Sequence, residues 1–224
     1  MPCMRIAHEG LPGRPEMQEQ SQVQDIEVIE TRVIPLKVGS ILREGTRIKD
    51  ARSSVTLIDA GEKKILVDTG MLGEEGILLD SLYARGLEPE DIDFVVNTHL
   101  HLDHCGCNLL FRNSVFYADR NENPPAHFQP TDDGKELVRG VSFLRTPGHT
   151  EGSITVLART DEGIYAVVGD AIPTKENYDS MTPPAINIDE RLAMESMKRI
   201  ISKADFIIPG HGALFRISRG DLRN

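Results

Sequence analysis

Four side chains able to bind a metal fall within six residues at His99-Leu100-His101-Leu102-Asp103-His104, the spacing H-x-H-x-D-H. A loop with that alternation, set at the end of a rigid strand, can fold back and point all four donors into one cavity. Three more candidates recur downstream: His149 in TPGHTEGS, Asp170 in VVGD and His211 in PGHG. Each follows an apolar run and is bracketed by glycine or proline, as a ligand held on a tight turn would be. Five of the chain's seven histidines lie in these motifs, whereas His8 and His127 stand alone and read as ordinary structural residues. Imidazole and carboxylate donors together suit zinc, iron or manganese. Seven donors exceed what one tetrahedral ion needs, so two metal ions are expected, zinc before iron or manganese. Cys105 and Cys107 adjoin the cluster, and thiolate ligation must be weighed; they read better as small core residues packed beneath the loop.

The elements that must position these residues can be read from hydrophobic periodicity. Residues 26–36, IEVIETRVIPL, alternate like a half-buried strand. VTLIDA (55–60) and KKILVDTG (63–70) form a hairpin across Gly61-Glu62, and GEEGILLDSLYARG (73–86) has helical spacing closed by Gly86. DFVVNTH (93–99) is a short buried strand that delivers the first histidine. Segments 114–119, 140–146, 153–158 and 163–170 read as further strands, DERLAMESMKRIISK (189–203) as an amphipathic helix, and ADFIIPGHG (204–212) as a last strand running into His211. Strands and helices in two successive halves suggest an α/β fold of two sheets packed face to face with helices outside. Residues 1–24 lack periodicity and read as a flexible leader ahead of a single domain at 25–224.

Bulk properties narrow the function. The 224 residues, 39% hydrophobic and 27% charged, are those of one ordinary globular domain. No run is apolar enough to span a bilayer and the N-terminal stretch has no signal-like core, so a cytoplasmic protein is expected. Three cysteines make no disulfide framework. A net charge of −10, no tryptophan and 5% aromatics argue against extended nucleic-acid binding. A small-molecule substrate is expected, with homodimer formation left open.

The order H-x-H-x-D-H, GH, GD, GH resembles the metallo-β-lactamase superfamily over residues 27 to about 217, and LVDTG (66–70) resembles that family's first motif. The resemblance implies an αββα sandwich of two mixed sheets with helices on the outer faces. It implies that His99, His101 and His149 bind one metal, that Asp103, His104 and His211 bind the other, and that Asp170 bridges them, with Asp68 supporting the ligands. It implies a hydrolase in which a hydroxide shared by the two metals attacks an ester, thioester, lactone or phosphoester, Asp103 orienting it and relaying a proton. PGHGALFRI (209–217) is similar to the metallo-β-lactamase domain-containing protein 1 group, some members of which are credited with RNA cleavage, so an RNA phosphodiesterase is an alternative. GDAIPTKENYDS (169–180) is similar to acyl-homoserine-lactone lactonases, which carry a substrate-binding tyrosine three residues after the bridging aspartate. Pro173 occupies that position here, leaving Tyr178, out of register, as the candidate substrate contact. The other class open to this fold is a mononuclear iron oxidoreductase like the persulfide dioxygenases.

Overall fold

The computed structural model describes residues 31–45 and 47–218. The expected leader and the first residues of the first strand lie outside these. The described chain begins with strand β1 (Thr31–Lys37), followed by β2 (Ser40–Glu44), β3 (Arg47–Arg52), β4 (Val55–Ala60) and β5 (Lys63–Val67). Helix α1 (Glu75–Tyr83), β6 (Phe94–Val96), the one-turn helix α2 (Leu102–Cys105), β7 (Val115–Ala118) and β8 (Gln129–Pro130) complete the first half. The second half comprises β9 (Glu136–Val138), β10 (Val141–Arg145), β11 (Ile154–Arg159), β12 (Ile164–Gly169), α3 (Lys175–Asp179), α4 (Glu190–Ile201), β13 (Phe206–Pro209) and β14 (Phe215–Arg216).

Two six-stranded sheets result, in the orders β1-β4-β5-β6-β7-β8 and β14-β13-β12-β11-β10-β9. Both are mixed: β5, β6, β7 and β8 pair in parallel, as do β12 and β13, while the remaining neighbours are antiparallel. Period-two alternation gives each central strand two buried faces. In β4 and β5, Ile58, Ile65 and Val67 point to the middle of the molecule and meet Phe143, Val156, Val167 and Ile208 of the second sheet. Leu57 and Leu66 point the other way, onto Leu78 and Leu82 of α1. On the far side Ala166, Val168 and Ile207 pack beneath Met197, Ile200 and Ile201 of α4. Three apolar layers therefore separate helix, sheet, sheet and helix, which is the expected αββα sandwich.

α4 forms where its apolar spacing predicts, started by Asp189, whose carboxylate accepts from the Leu192 N–H at 2.9 Å. The expected hairpin also stands, β4 and β5 pairing in register across Gly61-Glu62. The β2–β3 ribbon has no counterpart in the sequence reading. It pairs only with itself, as a separate two-stranded sheet. Among the described residues no helix is long and apolar enough to cross a membrane.

Candidate metal centre

Strand ends from both sheets converge on one edge of the sandwich. Asp68 follows β5, the residues 97–104 follow β6, His149 lies in the β10–β11 connection, Asp170 follows β12 and His211 follows β13. Sharp backbone turns at these ends are built in. Asp68 adopts φ 58, a left-handed conformation uncommon for a residue with a side chain, found where structure over-determines it. Gly169 turns with φ 50, and a Cβ there would lie 2.4 Å from the Thr98 hydroxyl. At Gly210 a Cβ would lie 2.0 Å from an Asp170 carboxylate oxygen, so only glycine lets these two loops approach.

The structure brings together all seven residues singled out by spacing. His99 Nε2 and His149 Nε2 lie 3.1 and 3.0 Å from His101 Nδ1. Beside them, His104 Nε2 and His211 Nε2 lie 3.8 and 3.6 Å from Asp103 Oδ2. Asp170 stands between: its Oδ1 is 3.4 Å from His104 Nε2 and 3.1 Å from His211 Nε2, and its Oδ2 is 3.3 Å from His211 Nε2 and 3.6 Å from His149 Nε2. Bonds of about 2.0–2.1 Å to one tetrahedral zinc would put nitrogens about 3.3 Å apart, the scale of these separations. Three sets of donors each gather within 4.8 Å: His99, His101 and His149; His99, His104 and Asp170; and Asp103, His104 and His211.

Hydrogen bonds on the far side of each ring decide which nitrogen is free. His149 Nδ1 donates to the Ile186 carbonyl at 2.7 Å and His211 Nδ1 to the Arg52 carbonyl at 2.9 Å. His104 Nδ1 donates to Asp68 Oδ2 at 2.7 Å. The Thr98 hydroxyl donates to the same carboxylate oxygen at 2.8 Å, which leaves its own oxygen to accept from His99 Nδ1 at 3.1 Å. Four Nε2 lone pairs and His101 Nδ1 therefore face the interior of the cluster. His104 Nε2 and Asp170 Oδ1 are buried there without a hydrogen-bond partner among the described residues, an expensive arrangement that a bound cation would relieve. The donor set fits divalent metal.

Charge is distributed unevenly over the two halves. Burial, reinforced by His104, holds His99 well below the usual histidine range, and burial with His149 lowers His101. Burial also disfavours the charged form of His104, but Asp68 and Asp170 outweigh it and raise that pKa well above the ordinary value. His211 is raised in the same sense: burial opposes, and Asp170 prevails. Asp170 is itself buried, and His104 with His211 nevertheless draws its carboxyl well below the usual range.

Several supporting residues escaped the sequence reading because each is an isolated polar side chain with no motif around it. Thr98 is one, hydrogen-bonded to Asp68 through both its N–H and its hydroxyl. Glu122 is another, on the 3-10 turn Arg120–Glu122 after β7. Its Oε2 accepts from the Leu100 N–H at 3.0 Å, and its Oε1 accepts from the Thr150 hydroxyl at 2.6 Å and the Gly152 N–H at 3.0 Å. Asp68 lies against His104, whose Nδ1 it holds at 2.7 Å.

The centre opens into a cleft of about 120 Å³ walled by Ile41, Ile48, Pro173 and Ile186, with Arg43 at its rim. The expectation for Tyr178 requires correction. Its ring is buried against Phe215 and its hydroxyl accepts from the Ser218 N–H at 3.1 Å, so it packs in the core under α4 and does not line the cleft. Cys107 is buried and Cys105 half-buried, burial pushing both thiols up to about 11; Cys105 donates to the Leu100 carbonyl at 3.6 Å and Cys107 to the Met71 carbonyl at 3.1 Å, and neither belongs to the three gathered donor sets.

The sequence profile described as the metallo-beta-lactamase superfamily matches residues 48–131. A probable metallo-hydrolase of Methanocaldococcus jannaschii is 41% identical over 177 residues, covering 77% of this chain and 83% of that one. The metallo-beta-lactamase domain-containing protein 1 of Mus musculus is 33% identical over 182 residues, covering 78% of this chain and 69% of that one. The crystal structure of a quorum-quenching N-acyl homoserine lactone lactonase superimposes with a TM-score of 0.67 at 26% identity, covering 82% of this chain and 92% of that one.

Proposed function

This chain belongs to the metallo-beta-lactamase superfamily, and we propose that it is a binuclear metal-dependent hydrolase of a small ester, thioester, lactone or phosphoester. His99, His101 and His149 would hold one ion, Asp103, His104 and His211 the other, with Asp170 shared. The observation that carries this reading is the position of Asp170, whose one carboxylate reaches histidines of both sets: 3.6 Å from His149 Nε2, and 3.4 and 3.1 Å from His104 Nε2 and His211 Nε2. Zinc, or iron or manganese, would supply Lewis acidity and a water ionised near neutral pH.

The chain's own residues supply orientation, a proton acceptor and shape. The Asp103 side chain is 16% exposed and borders the cleft, where its carboxylate orients the attacking water and accepts its proton. Asp68, Thr98 and the carbonyls of Ile186 and Arg52 fix the imidazole rings, so no reorganisation is needed as charge develops. Ile41, Ile48 and Ile186 exclude solvent from one side and receive the apolar body of the substrate.

A panel run with zinc-reconstituted protein tests this: 4-nitrophenyl acetate, an acyl thioester, an N-acyl-homoserine lactone and bis(4-nitrophenyl) phosphate. We expect turnover of at least one, reduced about 100-fold or more by Asp103→Ala, with unchanged circular dichroism. The homoserine lactone should be slow, because Pro173 faces the cleft without a donor and Tyr178 is committed to the core. No turnover of any class by fully metallated protein would overturn the hydrolase reading.

A further inference from the structure

We propose that Glu122 is a positioning residue for the three-histidine half of the centre, clamping together the two loops that supply His99, His101 and His149. The inference rests on the two-metal reading above and extends it to a residue that touches no metal position itself. One carboxylate serves two loops distant in sequence. Oε2 takes the N–H of Leu100, the residue between His99 and His101. Oε1 takes the Thr150 hydroxyl, next to His149, and the Gly152 N–H. The contact is close, since a Cβ on Gly152 would lie 2.7 Å from Glu122 side-chain atoms.

The geometry also shows why a carboxylate is required. Two of the three donors are backbone N–H groups and lie on opposite oxygens, so an amide in place of the carboxylate must turn an NH2 group toward one of them. Either orientation breaks one loop's bond and sets two donors against each other. The Thr150 hydroxyl lies 2.6 Å from the Ser153 oxygen as well, and Ser153 accepts from the Thr150 N–H at 3.1 Å, so the His149 loop retains local order without the clamp. Loss of Glu122 should therefore change the relative placement of the two loops and leave the fold intact. The Asp103, His104 and His211 half has no contact with this carboxylate and instead leans on Asp68 and Arg52.

Titration of metal-stripped protein with Co²⁺, followed by visible absorption, separates the two halves. In Glu122→Gln one Co²⁺ affinity should fall by about 10–100-fold, the range found when a support for a metal ligand is lost, while the other stays within about threefold. The lost spectral component should be the one removed by His101→Ala, not the one removed by His211→Ala. Thermal unfolding of the metal-free variant should stay within a few degrees of wild type, and Thr150→Val, which keeps the carboxylate, should give a weaker version of the same pattern. Unchanged affinities in Glu122→Gln, an equal fall in both, or a pattern matching His211→Ala would overturn the proposal. If wild type takes up a single Co²⁺, the two-metal reading fails by itself. The clamp is then judged on whether Glu122→Gln weakens that ion, and an unaltered affinity rejects it.

Discussion

Protons and metal ions compete for the same lone pairs around Asp170. In the metal-free protein His104 and His211 hold their protons more tightly than usual because anionic Asp170, joined by Asp68 at His104, outweighs burial. A histidine whose folded pKa is raised contributes stability that is fully present below its unfolded value of about 6.5 and is lost as pH rises through the folded value. His99, depressed by burial, contributes in the opposite sense, but its contribution is already complete above about 6.5 and adds no slope there. Chelator-treated protein should therefore melt at progressively lower temperature from about pH 6.5 to about pH 7.5, before the thiols of the unfolded chain, which ionise near about 8.5, add a slope of their own. Asp68→Asn should flatten that slope, and a melting temperature that rises across the window would refute the assignment of charge. Metal affinity should move the other way, increasing with pH as the competing protons leave. The seven donors were legible in the sequence because H-x-H-x-D-H and the glycine-flanked His149, Asp170 and His211 are dense local patterns. Thr98 and Glu122 were not, since a lone threonine or a glutamate after a strand is most often a surface or turn residue. Tyr178 was misjudged because nearness in sequence to Asp170 says nothing of which face of α3 meets Phe215.

The β2–β3 ribbon is the element whose purpose emerges only in three dimensions. Its register pairs Ile41 with Ala51 and Arg43 with Ile48, and these four residues share the face that lines the cleft. Because that face meets no core layer, the segment SILREGTRIKDAR carries too few apolar residues for alternation to reveal it. Strands such as β4 and β12 were readable since both faces are packed and the apolar run is continuous. If the ribbon holds the apolar part of a substrate, a change there should act on binding more than on chemistry. The double substitution Ile41→Ser, Ile48→Ser should raise KM about 10–100-fold on any accepted apolar ester while kcat and metal content hold, given about 1.5–3 kcal/mol for a fully buried aliphatic side chain. An equal fall in kcat with unchanged KM would place the ribbon in the chemical step instead.

At the scale of the whole molecule, the centre exists only because two sheets pack against each other. His99, His101, Asp103 and His104 come from the first sheet, His149, Asp170 and His211 from the second, and the layer of Ile58, Val67, Phe143 and Val167 holds the two in register. The αββα architecture was legible from the succession of strands and helices, whereas the strand order within each sheet was not, because pairing is set by contacts remote in sequence. A site assembled from both halves couples metal binding to folding, so stripping the ions should lower stability and restoring them should recover it. The central claim is that the cluster holds two ions and shares Asp170 between them. Elemental analysis of protein reconstituted with excess zinc and then freed of unbound metal tests it most directly. Two ions per chain are expected, falling toward one in His101→Ala and, separately, toward one in His211→Ala. A wild-type value that settles near one, and that only one of these substitutions lowers, would contradict it.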